Sequence, residues 1–73
     1  MNQQYVIACR YEDGKLGFIF NFDPIIWGWE YHNAKVFYDY DEVSKVFEDN
    51  SEIFDLTIKS TQVKSVFILP VTI

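Results

Sequence analysis

Hydrophobic and polar positions alternate most regularly at the start of the chain. Tyr5 to Glu12 and Lys15 to Phe22 each switch between apolar and polar positions with a period near two, and Asp13-Gly14 separates them. An Asp-Gly pair tolerates the positive φ that a tight hairpin turn requires, so the pattern predicts a β-hairpin. With a two-residue loop, Glu12 opposes Lys15, Tyr11 opposes Leu16, Cys9 opposes Phe18, Ile7 opposes Phe20 and Tyr5 opposes Phe22. The last four pairs are wholly apolar or aromatic, and the two-residue period of a strand puts them on one face. The other face carries Arg10, Glu12, Lys15, Gly17 and Asn21, together with Val6, Ala8 and Ile19.

Asp23-Pro24 ends the second run, because proline offers no amide hydrogen to a ladder. In the next segment Trp27, Trp29 and Tyr31 alternate with Gly28, Glu30 and His32, which suits a short strand or an extended loop. The period then changes. Tyr40, Val43, Val46 and Phe47 fall on one helical stripe, Asp39 is the candidate N-cap, and Glu42 stands three residues after it. A helix is predicted from about Tyr40 to about Asp49, stopped by Asp49-Asn50-Ser51. Phe54, Leu56 and Ile58 alternate with Asp55, Thr57 and Lys59, which predicts a strand. After the polar Ser60-Thr61-Gln62, the β-branched run Val63 to Val71 predicts a final strand with Pro70 at a sheet edge. These elements describe a single α+β domain over residues 1–73: a mostly antiparallel sheet of an N-terminal hairpin and C-terminal strands, with one helix on one face.

Composition narrows the chemistry. Seven Phe, five Tyr and two Trp in 73 residues give a small domain enough aromatic volume for a core. Cys9 is the one cysteine, so no intrachain disulfide forms, and a reducing, cytoplasmic setting is expected. Met1-Asn2-Gln3-Gln4 has neither the basic nor the apolar stretch of a signal peptide, and no apolar run reaches the roughly 18–20 residues that span a bilayer. A formal charge of −5 argues against direct binding to nucleic acid or to an anionic membrane, since phosphate recognition rests on Lys and Arg.

Candidate catalytic groups are few. Cys9 falls on the apolar face of the hairpin, where a thiol acts as a small core residue rather than a nucleophile. His32 is the single histidine, and structural zinc usually needs four Cys or His ligands. Asp39, Asp41 and Glu42 lack the central glycine of a calcium loop, and helix capping accounts for Asp39 and Glu42. Gly14, Gly17 and Gly28 form no phosphate-binding loop. No catalytic, cofactor or metal site is expected.

Two features suggest a protein partner. Asp39, Asp41, Glu42, Glu48, Asp49, Glu52 and Asp55 lie within 17 residues with only Lys45 opposing them: seven acids against one lysine, a local charge of −6. Such a cluster can imitate nucleic-acid phosphates and occupy a basic groove; the ordinary reading is a solvated helix face with acids at its N-terminus, where the helix dipole favours them. The second feature is Ile26, Trp27, Trp29 and Tyr31, residue types that anchor interfaces but also fill cores. Homodimerisation through this segment or through an edge strand is the alternative, which would make the chain a self-associating structural subunit.

Ala34-Lys35-Val36-Phe37, the helix containing Asp41-Glu42-Val43, and the closing Ile68-Leu69-Pro70-Val71 resemble the pattern of small proteins encoded by bacteriophages and prophages. The resemblance covers about residues 34–71. It implies a viral accessory protein, a class that includes inhibitors of host enzymes and of antiviral defence. No site residue transfers with it.

Overall fold

A computed structural model describes residues 3–72. Met1 and Asn2, the first half of the N-terminal stretch read above, lie outside the described residues, as does Ile73. Strands β1 (Gln3–Tyr11), β2 (Leu16–Phe22) and β3 (Ile25–Gly28) are followed by a 3-10 turn (Tyr31–Asn33). Helices α1 (Tyr40–Asp49) and α2 (Ser51–Ser60) come next, and β4 (Val63–Thr72) closes the chain. The strands form one antiparallel sheet in the order β3-β2-β1-β4. The α+β class stands.

The hairpin exists, but its register is one residue away from the predicted one. Ala8 faces Phe18, Cys9 faces Gly17 and Arg10 faces Leu16. The loop has three residues rather than two: the Tyr11 amide donates to Lys15 O at 2.9 Å, and the Gly14 amide donates to Tyr11 O at 2.9 Å. A two-residue type I′ turn needs positive φ at both Asp13 and Gly14, and only Gly14 (φ 91°) adopts it. Asp13 instead accepts the Lys15 amide on its side chain at 3.0 Å.

The slip divides the predicted apolar face between two cores. Ile7 and Ile19 join Phe37, Val43 and Phe54 under the helices, with Tyr5, Phe22 and Trp27 packed around them. Val6, Ala8 and Phe18 form a second core on the opposite face with Ala34, flanked by Leu16, Phe20, Phe67 and Leu69. An irregularity in the β2–β3 pairing between Ile19 and Asn21 lets Ile19 and Phe22 both face the helices. Gly28 is required here, because a Cβ on it would lie 2.2 Å from the Phe20 ring.

Past Ala8, β1 and β2 leave room for the segment after the 3-10 turn. Lys35 donates to Ile19 O, and Phe37 exchanges two 2.8 Å backbone bonds with Tyr5. That places Phe37 in the core beneath the helices and Ala34 on the opposite face.

Helix α1 matches the predicted bounds, and the Asp39 side chain accepts the Asp41 amide at 3.1 Å. The predicted strand over Phe54–Ile58 is instead helix α2. Only Asn50 separates the helices: its side chain donates to Val46 O at 2.8 Å, and its carbonyl accepts the Phe54 amide at 3.1 Å. The polar run that was to stop α1 therefore also starts α2. On α2, Phe54 points inward at 2% exposure against Phe47 and Trp27, with ring centroids 5.2 and 6.1 Å away. Pro70 lies on the edge strand β4, as predicted.

Candidate protein-binding surface

The acids sit on the two helices and their caps. On α1, one turn every 3.6 residues sets Val43, Val46 and Phe47 toward the sheet, so Asp41, Lys45 and Glu48 form the outward stripe. On α2 the same geometry opposes Phe54 to Glu52, Asp55, Leu56 and Lys59. These four residues line an open depression of about 310 Å³.

Asp39, Asp41, Glu42, Glu48, Asp49, Glu52 and Asp55 are all exposed. Among the described residues the one ion pair is His32 with Glu30 at 3.3 Å, and none of these seven acids takes part in one. Local structure accounts for some of them. Asp39 caps α1, Asp41 and Glu42 lie in its first turn, and Glu52 lies in the first turn of α2, where the helix dipole favours negative charge. Glu48 and Asp49 stand where the end of α1 meets the start of α2, and the two dipole ends there oppose each other. Asp55 lies in the middle of α2. Those three carboxylates have no structural reason to be acidic.

Two apolar side chains stand among the acids. Leu56 is 61% exposed on the outward stripe of α2, and Ile53 is 47% exposed beside it. Both were hidden by reading the segment as a strand, which groups Leu56 with Phe54. The signals for a helix were the Asn50-Ser51-Glu52 start and Lys59 in the last turn.

The structure does not bring the aromatic segment together as one surface. Trp27 turns into the core under the helices and packs on Phe54. Trp29, 59% exposed, lies against Tyr11 with ring centroids 4.9 Å apart and Lys15 Nζ 5.9 Å from its ring. Tyr31 crosses to the opposite face of the sheet and packs edge-on against Phe18 at 5.6 Å. Ile26 is exposed on β3. The alternation breaks because β3 ends at Gly28 and the 3-10 turn redirects Tyr31.

Cys9 is fully buried opposite Gly17, and burial pushes its thiol pKa up against the lowering effect of a hydrogen bond with Tyr11. The thiol stays protonated and unreactive at neutral pH. Among the described residues no three His, Cys, Asp or Glu side chains converge to hold a metal ion, and no helix is long and apolar enough to cross a membrane. In comparisons with known proteins, no family model, curated protein or solved structure matches the chain.

Proposed function

We propose that this chain is a non-enzymatic protein-binding module, a phage- or prophage-encoded inhibitor or modulator that works in the host cytoplasm. It covers a basic surface on a host or defence-system protein with the outward face of α1 and α2. The observation that carries this reading is the row of exposed acids without ion-pair partners, with Leu56 and Ile53 set among them.

Uncompensated like charges on one face cost stability, and a basic partner removes that cost. Each ten-residue helix extends about 15 Å at about 1.5 Å per residue, the length of about four phosphates along one DNA strand. A groove shaped for nucleic acid offers that length of positive potential. Leu56 and Ile53 then add the apolar contact that a purely electrostatic encounter lacks, since interface energy concentrates in a few desolvated anchors.

The test is affinity capture from bacterial cytosol with three folded baits: wild type, the triple variant Glu48→Lys, Asp49→Lys, Glu52→Lys, and Trp29→Ala. The reading predicts a protein retained by wild type and by Trp29→Ala but lost by the charge-reversed bait. A protein retained equally by the charge-reversed bait, or no specific protein at all, would sink it.

A further inference from the structure

The two sheet edges differ. β3 presents four residues, whereas β4 presents ten. Tyr5 uses its amide and its carbonyl to bond Phe37, on the side away from β4. Pro70, opposite Tyr5, therefore occupies a non-hydrogen-bonded position, and its missing amide costs the ladder nothing. The two-residue period then fixes the rest of the strand. Phe67 and Leu69 bond inward to β1 through Ala8 and Val6, while the amides and carbonyls of Val66 and Ile68 point outward.

Side chains along this edge are left half-finished as well. Val66 and Ile68 border the core under the helices, and Phe67, Leu69 and Val71 border the core on the opposite face. All five are only half-buried. Ser65 to Leu69 carries no charge. At one end of this window lies the pairing irregularity at Lys64, and at the other lies Pro70.

We infer that a second copy of this chain pairs along β4, antiparallel, about a two-fold axis through Phe67. The two four-stranded sheets become one sheet of eight strands. Only this axis fits the outward groups. It sets Val66 against the partner's Ile68 and Ile68 against the partner's Val66, which makes four backbone hydrogen bonds. Moving the axis to Ile68 brings Val66 opposite Pro70, which has no amide to give. Moving it to Val66 draws the irregular backbone at Lys64 into the ladder. An axis midway between two residues opposes outward groups to inward ones.

Side chains agree with this axis. Phe67 meets its own copy on one face, and Val66 meets the partner's Ile68 on the other, so both cores continue across the junction.

The test joins a mass measurement to a cysteine scan. Sedimentation equilibrium of the wild type is expected to show twice the 8.7 kDa chain mass. Ile68→Pro, which removes an outward amide and no bond to β1, is expected to return the mass to 8.7 kDa with an unchanged circular dichroism spectrum. Phe67→Cys, Ser65→Cys and Leu69→Cys are then oxidised separately. Opposed residues at a non-hydrogen-bonded site lie about 4.5 Å apart at Cα, within reach of a disulfide, so Phe67→Cys cross-links and the other two do not. Cys9 is buried and does not compete. A wild type that stays at the chain mass up to its solubility limit would overturn the inference, and so would cross-linking at 65 or 69 equal to that at 67.

Discussion

Phe54→Ala, Leu56→Ala and Ile58→Ala together separate a helix from a strand over residues 51–60 by energetics alone. In a strand the three side chains share one face and have similar costs. In α2 they diverge: Phe54 is 2% exposed, Ile58 36% and Leu56 61%. Truncating a buried Phe costs about 3–5 kcal/mol, and Phe54 also gives up its aromatic contacts with Phe47 and Trp27. A 73-residue domain has a total stability of about 4–11 kcal/mol at about 0.05–0.15 per residue. Phe54→Ala therefore removes a large fraction of it and lowers Tm by at least about 12 °C, at about 4 °C or more per kcal/mol. Leu56→Ala stays within about 0.5 kcal/mol of wild type, as exposed substitutions do, and Ile58→Ala falls between. Urea titrations followed by far-ultraviolet circular dichroism measure all three. If Leu56→Ala costs even half as much as Phe54→Ala, the orientation of α2 described above is wrong.

Two further predictions concern the hairpin. Gly14→Ala forces a side chain onto a φ of 91° and should cost about 1–2 kcal/mol by the same titration; no loss would mean that the loop does not need the left-handed residue. Burial raises the Cys9 pKa above 9.0, so the folded state holds its proton after the unfolded chain has released it. The stability this thiol contributes is present in full below pH 9.0 and is lost as pH climbs from there toward the raised value. Unfolding titrations between neutral and alkaline pH should therefore show a shallower decline for Cys9→Ala than for wild type, and identical declines would remove Cys9 from the explanation.

How far the sequence disclosed this fold depends on whether a wrong reading would have carried a penalty. Helix α1 was legible because one stripe of apolar residues and one capping aspartate agree, and a shifted helix would bury Asp41 or Lys45. The hairpin strands were legible, but their register was not. Val6, Ala8 and Ile19 make the second face apolar too, so a one-residue slip exchanges one apolar partner for another. Asp13-Gly14 fits a two-residue and a three-residue loop equally well. Helix α2 was hidden because Leu56, exposed on its outer stripe, completes a false period of two with Phe54 and Ile58. The acids were plain from their count, and only the three-dimensional structure revealed that they lack ion-pair partners among the described residues. Trp27 and Trp29 looked equivalent until the end of β3 at Gly28 sent one inward and left the other exposed.

A basic partner on the outward face of α1 and α2, as proposed, makes the complex salt-sensitive. The most direct test is the Kd of the captured complex at about 0.01 and 0.15 M salt, where the screening length falls from about 30 to about 8 Å. The wild-type Kd is expected to rise steeply across that range, and that of the Glu48→Lys, Asp49→Lys, Glu52→Lys variant to be higher and nearly flat. A wild-type Kd that is the same at both salt concentrations would contradict the proposal.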